Sequence, residues 1–191
     1  PSGILLRMLY TGKGDGGTSK LFNTPSGERV SKSSNIFEAL GTLDELNSFL
    51  GVCRAHCAKT TYSLQDQLFF NIVFRLQQDL FIAQAELAGA DMSMSKEKVE
   101  YLEWVTNESE KNLPPITTFF IPGASELGAY FDTARTISRR TERCVIRVKE
   151  SGAVVSEETL RYLNRLSSAL YALARLSNHF SGITETPPTY Q

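Results

Sequence analysis

The chain has 191 residues, of which 20 are lysine or arginine, 21 are aspartate or glutamate and 41% are hydrophobic. These proportions are typical of a globular protein with one domain and exclude a disordered linker or a fibrous chain. A formal net charge of −1 leaves no bulk positive charge that would draw the protein to nucleic acid or to acidic membranes, so we expect neither as a partner. A site for an anion must therefore be local.

Membrane and export signals are not visible in the sequence. No apolar run approaches the roughly 20 residues that a membrane-spanning helix requires, and the first residues lack the basic and long apolar regions of a secretory signal. The cysteines lie inside helical patterns, at Cys53, Cys57 and Cys144. We therefore expect a reducing compartment, the cytoplasm, with the mitochondrial matrix as the alternative if a transit peptide has been removed.

Residues 1–33 predict an irregular arm. A short apolar stretch over residues 4–10 precedes a glycine-rich turn and a polar loop, and no helical period runs through this region. We interpret residues 1–191 as a single domain, in which a helical region over residues 34–182 and a tail over residues 183–191 follow the arm.

From residue 34 onward, apolar residues recur at intervals of three and four, which is the pattern of amphipathic helices. Serines at the helix starts and glycines or Pro114 at the helix ends mark the boundaries. The predicted helices are about 34–58, about 64–89 with Ser63 as its cap, a shorter one from Ser95 to before Pro114, one from Leu127 to near Gly152, and one from Ser156 to before Gly182. The pattern predicts an all-α fold, a five-helix bundle with an irregular N-terminal arm.

The arm contains the pattern G-x-G-x-x-G over residues 12–17. A dinucleotide-binding loop would open a helix here, yet residues 18–33 have no helical period, and a Walker loop would need a lysine where Thr18 stands. The remaining interpretation is a turn whose free N–H groups wrap an anion, and an ordinary flexible turn is the alternative. The side chains that could assist are Thr11, Lys13, Thr18, Ser19 and Lys20.

The fourth predicted helix carries a stripe of arginines spaced by four, namely Arg135, Arg139, Arg143 and Arg147. Like charges in a row repel, so the stripe needs anions, carboxylates or water around it. We expect Glu142, three residues after Arg139, to hold that guanidinium. Eight of the twelve arginines fall between residues 135 and 175, and arginine grips phosphate or carboxylate with two parallel hydrogen bonds. An anion site and a solvated basic face remain open as interpretations.

Two further clusters have weaker implications. Asp44 and Glu45 stand among apolar neighbours on the first helix, as Asn164 and Arg165 do on the fifth. Buried polar groups need partners, so the simplest interpretation is a structural pair between Asp44 and an arginine of the fourth helix.

Metal chemistry is disfavoured by the positions of the histidines. A carboxylate-bridged di-iron bundle needs Glu-x-x-His, and neither His56 nor His179 has a glutamate three residues before it. Cys53, His56 and Cys57 lie on one helical surface and could not surround a tetrahedral ion without ligands from elsewhere.

A series of short blocks, in this order, resembles the PduO-type ATP:cob(I)alamin adenosyltransferases over residues 7–178. The blocks are Tyr10-Thr11 with Gly14-Asp15 and Gly17, Gly27-Glu28-Arg29-Val30 with Lys32, Gly41-Thr42-Leu43-Asp44-Glu45-Leu46-Asn47-Ser48, Phe119 to Gly123, Arg135, Arg139-Arg140-Thr141-Glu142-Arg143, and Asn164-Arg165-Leu166-Ser167. The Asp-Glu-Leu-Asn and Arg-Arg-x-Glu-Arg blocks are highly specific in this combination.

The resemblance implies a homotrimer of five-helix bundles that binds ATP between subunits, where the arm of one chain meets the arginine helix of its neighbour. The residues that would line the triphosphate are Thr11, Gly12, Lys13, Gly14, Ser19 and Lys32, and those that would complete the nucleotide site are Arg139, Arg140, Thr141, Glu142, Arg143 and Asn164. Asp44 and Arg135 match an ion pair between subunits. Phe119 matches an aromatic residue that displaces the lower axial base of the corrinoid and leaves a four-coordinate cobalt.

The same resemblance implies an enzyme that transfers the 5′-deoxyadenosyl group of ATP to the cobalt of cob(I)alamin, with triphosphate as the leaving group. Arg139, Asp44 and Arg135 are then the residues expected to carry catalysis, with Mg²⁺ bound to the triphosphate. A corrinoid reductase is a further candidate partner. The alternatives are a nucleotide- or corrinoid-binding bundle without turnover, acting as a sensor or carrier, and a structural helical oligomer.

The chain departs from the family pattern at several positions. Lysine usually stands in place of Gly12 and of Gly16, and threonine in place of Lys13. Aspartate is usual in place of Ser168 and phenylalanine in place of Tyr171. Two lysines that bind phosphate in the family are therefore absent from positions 12 and 16, and the arm carries lysine at position 13 instead.

Overall fold

The computed structural model describes residues 10–190. Within them the helices are α1 (Asn35–Cys57), α2 (Phe69–Leu87), α3 (Lys96–Lys111), α4 (Glu126–Glu150) and α5 (Glu157–Phe180). The same range contains four two-residue strands in two antiparallel hairpins, β1 (Thr18–Ser19) with β2 (Val30–Ser31) and β3 (Ser63–Leu64) with β4 (Gln67–Leu68). The predicted five-helix fold is confirmed, while the apolar stretch over residues 4–10 lies outside the described residues except for Tyr10.

Local capping signals explain where α4 and α5 begin. The Ser125 hydroxyl accepts a hydrogen bond from the N–H of Gly128, and the Ser156 hydroxyl accepts one from the N–H of Thr159. Each bond satisfies an N–H that has no partner inside the helix. The predicted start of the fifth helix at Ser156 is confirmed.

The predicted start of the second helix near residue 64 is wrong. Residues 63–68 form the β3–β4 hairpin, with Gln65 at a φ of 49° in its turn, and α2 begins at Phe69 without a side-chain cap. Leu64 belongs to the hairpin but is buried in the core. Its distance in sequence from the apolar residues of α2 therefore matches a helical period although Leu64 is not helical. Ser63 is therefore a strand residue and not a cap.

The helices surround one continuous core. Helix α4 packs against α1 and α5, α1 also packs against α2, and α5 also packs against α3. Fully buried residues from several helices fill the centre, including Leu46, Leu76, Leu102, Phe131 and Leu166. The other side of α4 faces solvent and carries the arginine stripe.

Residues 112–125 connect α3 to α4 and carry Phe119 and Phe120. The prolines at 114 and 115 cannot continue α3, and the segment runs without regular structure to Ser125. The N–H of Ile121 donates to the carbonyl of Thr186 at 2.9 Å, so the C-terminal tail lies along this segment. None of the helices within residues 10–190 is long and apolar enough to cross a bilayer.

Candidate functional site

An open cleft of about 1040 Å³ lies between the segment over residues 112–125 and the helices α3, α4 and α5. Its volume is at the upper end of the range typical of small-molecule pockets. Among the residues that the sequence analysis singled out, the cleft brings together Phe119, Arg135, Arg139, Ser168 and Tyr171. Residues distant in the chain therefore meet at one surface.

Phe119 is the most exposed aromatic side chain of this cleft, with 75% of its surface accessible. The neighbouring Phe120 is partly buried and lies with its ring centroid 5.8 Å from the Arg175 guanidinium. Phe119 therefore contributes little to the packing of the bundle, and its ring is free to contact a ligand.

Arg135 lies on the α4 wall of the cleft and is oriented by two contacts. Its Nε donates to a carboxylate oxygen of Asp132 at 3.3 Å, and its guanidinium lies 5.8 Å from the ring centroid of Tyr171. About a quarter of the side chain stays accessible, at 26%. Arg135 is thus held in place and can still accept a partner from outside the chain.

Arg139 differs from its neighbours in the stripe because its guanidinium has no hydrogen-bond or ion-pair partner in the described part of the chain. Arg143 donates to the carbonyl of Arg139 at 3.0 Å, and Arg147 donates to the carbonyl of Arg143 and to Sγ of Cys144. The expected pair between Glu142 and Arg139 is wrong, since Glu142 accepts from Asn164 at 2.9 Å. Arg139 is therefore available for an anionic ligand.

Arg140 forms an ion pair across the α1–α4 contact with Glu45. The expected burial of Asp44 is wrong, because Asp44 is exposed. Asp44 also has no ion-pair partner within residues 10–190, so the structural pair predicted between Asp44 and an arginine of α4 is not found in this range. Glu45, the next residue, forms such a pair with Arg140. The α1 surface around Asp44 remains open to another molecule.

Thr141 lies away from the cleft. Its side chain is fully buried between α1 and α4, where the hydroxyl donates to the carbonyls of Thr42 at 3.1 Å and Ile137 at 3.0 Å. The Thr141 side chain therefore packs between the helices and cannot reach a ligand in the cleft.

The arm forms a hydrogen-bonded turn around residues 12–17. Gly12 and Gly17 have φ values of 66° and 73°, in the left-handed region that favours glycine. Lys32 Nζ donates to the carbonyl of Gly14 at 2.9 Å, and Arg29 donates to the Thr18 hydroxyl at 2.7 Å. The β1–β2 hairpin, which includes Ser19, thus fixes the turn and leaves Thr11 and Lys13 exposed.

Within residues 10–190, the arm bonds to other parts of the chain than the central arginines of the stripe. The arm bonds to the end of α2, through the N–H of Phe22 and the carbonyl of Ala88. Among the described residues, none of the hydrogen bonds or ion pairs joins residues 10–33 to Arg139, Arg140 or Arg143. The two halves of the predicted nucleotide site are therefore not joined by a hydrogen bond or an ion pair in the part of the chain that the structure describes.

Metal-binding clusters are absent from residues 10–190, where no three His, Cys, Asp or Glu side chains gather to hold an ion. Burial raises the pKa of the Cys57 thiol to about 12, and burial together with the neighbouring Cys57 raises the pKa of Cys53 further. Both cysteines are free thiols in the core. Their side chains pack in the core of the bundle.

One cluster of charged residues beside the cleft was not predicted from the sequence. Arg175, Asp132 and Glu185 form ion pairs beneath the cleft, with the Arg175 side chain only 1% exposed. Arg175 lies within an otherwise apolar stretch of α5. A charged residue in such a stretch is the signal that could have indicated a buried pair, although nothing in the sequence identifies its partners.

Comparison with known proteins agrees with this geometry. The family model for cobalamin adenosyltransferase matches residues 9–177. The chain is 38% identical over 178 residues to the corrinoid adenosyltransferase PduO of Citrobacter freundii, covering 90% of this chain and 50% of that protein. It is 36% identical over 183 residues to the corrinoid adenosyltransferase of Bacillus subtilis, covering 92% and 89%. The chain thus spans about half the length of the PduO relative.

Two solved structures of the PduO-type ATP:corrinoid adenosyltransferase from Lactobacillus reuteri have a similar fold. One is an arginine-to-lysine variant complexed with ATP, with a TM-score of 0.82, 25% identity and coverage of 95% of this chain and 100% of that chain. The other is a phenylalanine-to-alanine variant complexed with cobalamin and ATP, with a TM-score of 0.81, 25% identity and coverage of 95% and 99%. The resemblance seen in the sequence blocks is confirmed, and the chain belongs to the cobalamin adenosyltransferase family.

Proposed function

We propose that this protein transfers the 5′-deoxyadenosyl group of ATP to the cobalt of cob(I)alamin and releases adenosylcobalamin and triphosphate. The observation that carries the proposal is the cleft in which Phe119, Arg135 and Arg139 meet. An exposed aromatic ring beside cationic groups suits a large ring system together with a polyanion. Membership of the cobalamin adenosyltransferase family supports the same assignment.

The proposed reaction is a nucleophilic displacement at C5′ of ATP. A Co–C5′ bond forms, the C5′–O bond breaks, and its electron pair leaves with triphosphate while the cobalt passes from Co(I) to Co(III). Co(I) is itself the nucleophile, so no side chain needs to act as a base or a nucleophile. The protein contributes by bringing the two substrates together and by stabilising the negative charge that develops on triphosphate.

Phe119 is proposed to face the lower side of the corrin ring and to displace the lower axial base. Its exposed ring in the cleft supports this role, because the ring is not needed for packing of the bundle and can contact the corrin. Loss of the axial donor leaves a four-coordinate cobalt, which is easier to reduce to Co(I). The aromatic ring therefore acts on the electronic state of the substrate cobalt.

The nucleotide is proposed to bind between subunits of a homotrimer. Arg139 and Arg143 are exposed on α4, whereas the turn over residues 12–17 lies on the arm and forms no hydrogen bond or ion pair with them among the described residues. A neighbouring subunit would supply the arm. Asp44 is exposed and has no ion-pair partner among the described residues. We propose that it pairs across this interface with Arg135, which is partly accessible.

Mg²⁺ is proposed to enter with ATP and not to occupy a site built by the protein alone. The described residues hold no cluster of acidic side chains for the ion, and Mg²⁺ is commonly held by substrate phosphates with one or two carboxylates. When bound, it neutralises part of the triphosphate charge. The Co(I) substrate must also come from a one-electron reduction, so a corrinoid reductase is the partner class that we propose.

The test is an anaerobic assay with ATP, MgCl2 and cobalamin that has been reduced chemically to Co(I), so that no reductase is needed. We expect adenosylcobalamin to form, as shown by its absorption spectrum and by the cleavage of its Co–C bond under light. Binding of both substrates without any product would contradict the proposal and would assign the protein to the class of nucleotide- or corrinoid-binding bundles.

A further inference from the structure

A buried ionic cluster connects the C-terminal tail to the wall of the cleft. The Arg175 guanidinium pairs with Asp132 of α4 on one side and with Glu185 of the tail, at 2.9 Å, on the other. Asp132 in turn accepts from Arg135, which lines the cleft. Four charged side chains of alternating sign therefore run from the tail to the cleft.

The same tail residue also fixes the start of α4. Glu185 accepts a hydrogen bond from the Asn178 amide, and Asn178 Oδ1 accepts from the N–H of Ser125 at 3.1 Å and from its hydroxyl at 2.6 Å. Gly128 permits this approach, since a Cβ there would lie 2.0 Å from Asn178 Oδ1. Glu185 is thus linked through Asn178 to Ser125, the last residue of the segment that carries Phe119.

Apolar packing between the tail and this segment is incomplete. A pocket of about 270 Å³ that opens to solvent lies between them, with Pro115, Phe120 and Ile183 among its walls. Because side chains do not fill this space, the polar links that cross it contribute to setting the spacing here. These links are the Glu185 cluster and the hydrogen bond from Ile121 to Thr186.

Removal of one charge from this cluster would leave the others unbalanced. Arg175 Nε already has no hydrogen-bond partner among the described atoms, and the guanidinium is balanced by the Asp132 and Glu185 carboxylates. Without Glu185, Asp132 would be the remaining carboxylate paired with Arg175. The Arg175–Asp132 ion pair would then strengthen and the hydrogen bond from Arg135 to Asp132 would weaken. The effect of a change in the tail would therefore appear at the cleft.

We propose that Glu185 is a positioning residue for the corrinoid half of the reaction. It orients Arg135 through Arg175 and Asp132, and it holds the segment that carries Phe119 at the edge of the cleft. This inference rests on the proposed function. The hydrogen bonds and ion pairs of Glu185 lead to Arg135 and to the segment that carries Phe119, and none of them reaches the arm within the described residues. We therefore expect a change at Glu185 to affect cobalamin kinetics more than ATP kinetics.

The experiment compares Glu185→Gln, which keeps the shape of the side chain and removes its charge, with Glu185→Asp, which keeps the charge. The control is Glu157→Gln, which breaks an ion pair with Lys149 at the other end of α5. For each variant we would measure kcat and the KM for cob(I)alamin and for ATP, together with the spectrum of bound cob(II)alamin in the presence of ATP. Hydrogen exchange of residues 116–123 gives a readout that does not depend on turnover.

For Glu185→Gln we expect kcat/KM for cob(I)alamin to fall by roughly 10- to 100-fold, as misplacement of reacting groups by about 1 Å does. The four-coordinate fraction of cob(II)alamin should fall and exchange in residues 116–123 should rise. The KM for ATP should rise less than the KM for cob(I)alamin, because Arg135 also faces the proposed subunit interface whereas Phe119 does not contact the nucleotide. Glu185→Asp should recover part of the loss, and Glu157→Gln should behave as wild type.

The outcomes separate this inference from the proposed function. An inactive wild type overturns the proposed function and the inference with it. An active wild type with Glu185→Gln indistinguishable from Glu157→Gln overturns the inference alone, as does an equal loss for both substrates. If Glu185→Gln does not fold, Glu185→Asp decides: an unchanged cob(II)alamin spectrum and unchanged exchange in residues 116–123 overturn the inference.

Discussion

Arg139 on α4 and Phe119 on the connection between α3 and α4 line one cleft from two different elements. Neither side chain is used by the fold: the guanidinium of Arg139 has no partner among the described residues, and the ring of Phe119 is largely exposed. Side chains that the fold leaves free in this way can be changed without unfolding the bundle, which makes them suitable for kinetic tests.

Arg139→Lys should reduce turnover more than it reduces ATP affinity. The substitution keeps the positive charge and removes the planar fork that binds two phosphate oxygens. Loss of one preorganised donor to a developing charge typically costs about 10²- to 10³-fold in kcat. Steady-state kinetics on the purified variant, with cob(I)alamin saturating and ATP varied, measures both parameters.

Arg147→Lys is the matched control for this variant. Arg147 lies two turns further along the stripe and already donates to Arg143 and Cys144. A solvated basic face would make the two arginines equivalent. Comparable turnover in the two lysine variants would therefore show that the stripe is structural and that Arg139 does not stabilise the leaving group.

Phe119→Ala should lower kcat/KM for cobalamin and leave the melting temperature almost unchanged. The ring is mostly exposed in the folded protein, and substitutions at such sites usually change the free energy of unfolding by less than about 0.5 kcal/mol. Phe81→Ala, at another exposed aromatic on α2, serves as control. A loss of stability without a change in cobalamin kinetics would contradict the role given to Phe119.

Gly16→Lys should tighten ATP binding by about two- to fivefold, the range expected for a partly exposed ion pair. An added side chain at Gly16 meets nothing within 4 Å, whereas Gly12 has a φ of 66° that strains any other residue. ATP should stabilise the wild type, with a rise in melting temperature of roughly 5–10 °C at a concentration near 100 times Kd. Thermal scans at increasing ATP give both affinities.

Gly12→Lys provides the comparison in the same turn. It adds the same charge but must hold lysine in a left-handed conformation, which costs roughly 1–2 kcal/mol. We expect this variant to melt lower than Gly16→Lys. The absence of any ATP-dependent shift in the wild type at millimolar ATP would contradict the nucleotide site altogether.

The protein should be an oligomer in solution, with a mass near three times 21.2 kDa. Asp44→Arg should weaken the assembly, because the substitution would face Arg135 of a neighbour with like charge. Asp91→Arg, at an exposed aspartate on the loop between α2 and α3, should not. Light scattering that reports a 21.2 kDa particle for the wild type at micromolar concentration would refute both the trimer and a site between subunits.

The helices could be predicted from sequence because their signals are local. Ser156 caps α5 through a hydrogen bond to Thr159, three residues along the chain, and Pro114 stops α3 wherever the rest of the fold lies. The start of α2 could not be predicted in this way. Leu64 is buried whether it lies on a helix or on the β3–β4 hairpin, and the positive φ of Gln65 has no sequence signature.

The pairing of charges was less predictable because it depends on how elements pack. Asp44 and Glu45 are neighbours in the chain, yet successive residues of a helix point about 100° apart, and only Glu45 faces Arg140. Arg175 finds its partners on α4 and in the tail, far away in sequence. The motif resemblance identified the cleft residues Phe119, Arg135 and Arg139, but not the buried pairs that support them.

The most direct test of the account is the stoichiometry of products in a single anaerobic turnover. Enzyme, ATP with Mg²⁺ and a limiting amount of cob(I)alamin are mixed, and adenosylcobalamin and phosphate-containing products are quantified by chromatography. Transfer of the 5′-deoxyadenosyl group should release one triphosphate for each adenosylcobalamin, because the bond that breaks is C5′–O. Release of ADP or pyrophosphate in place of triphosphate, or no corrinoid product at all, would contradict it.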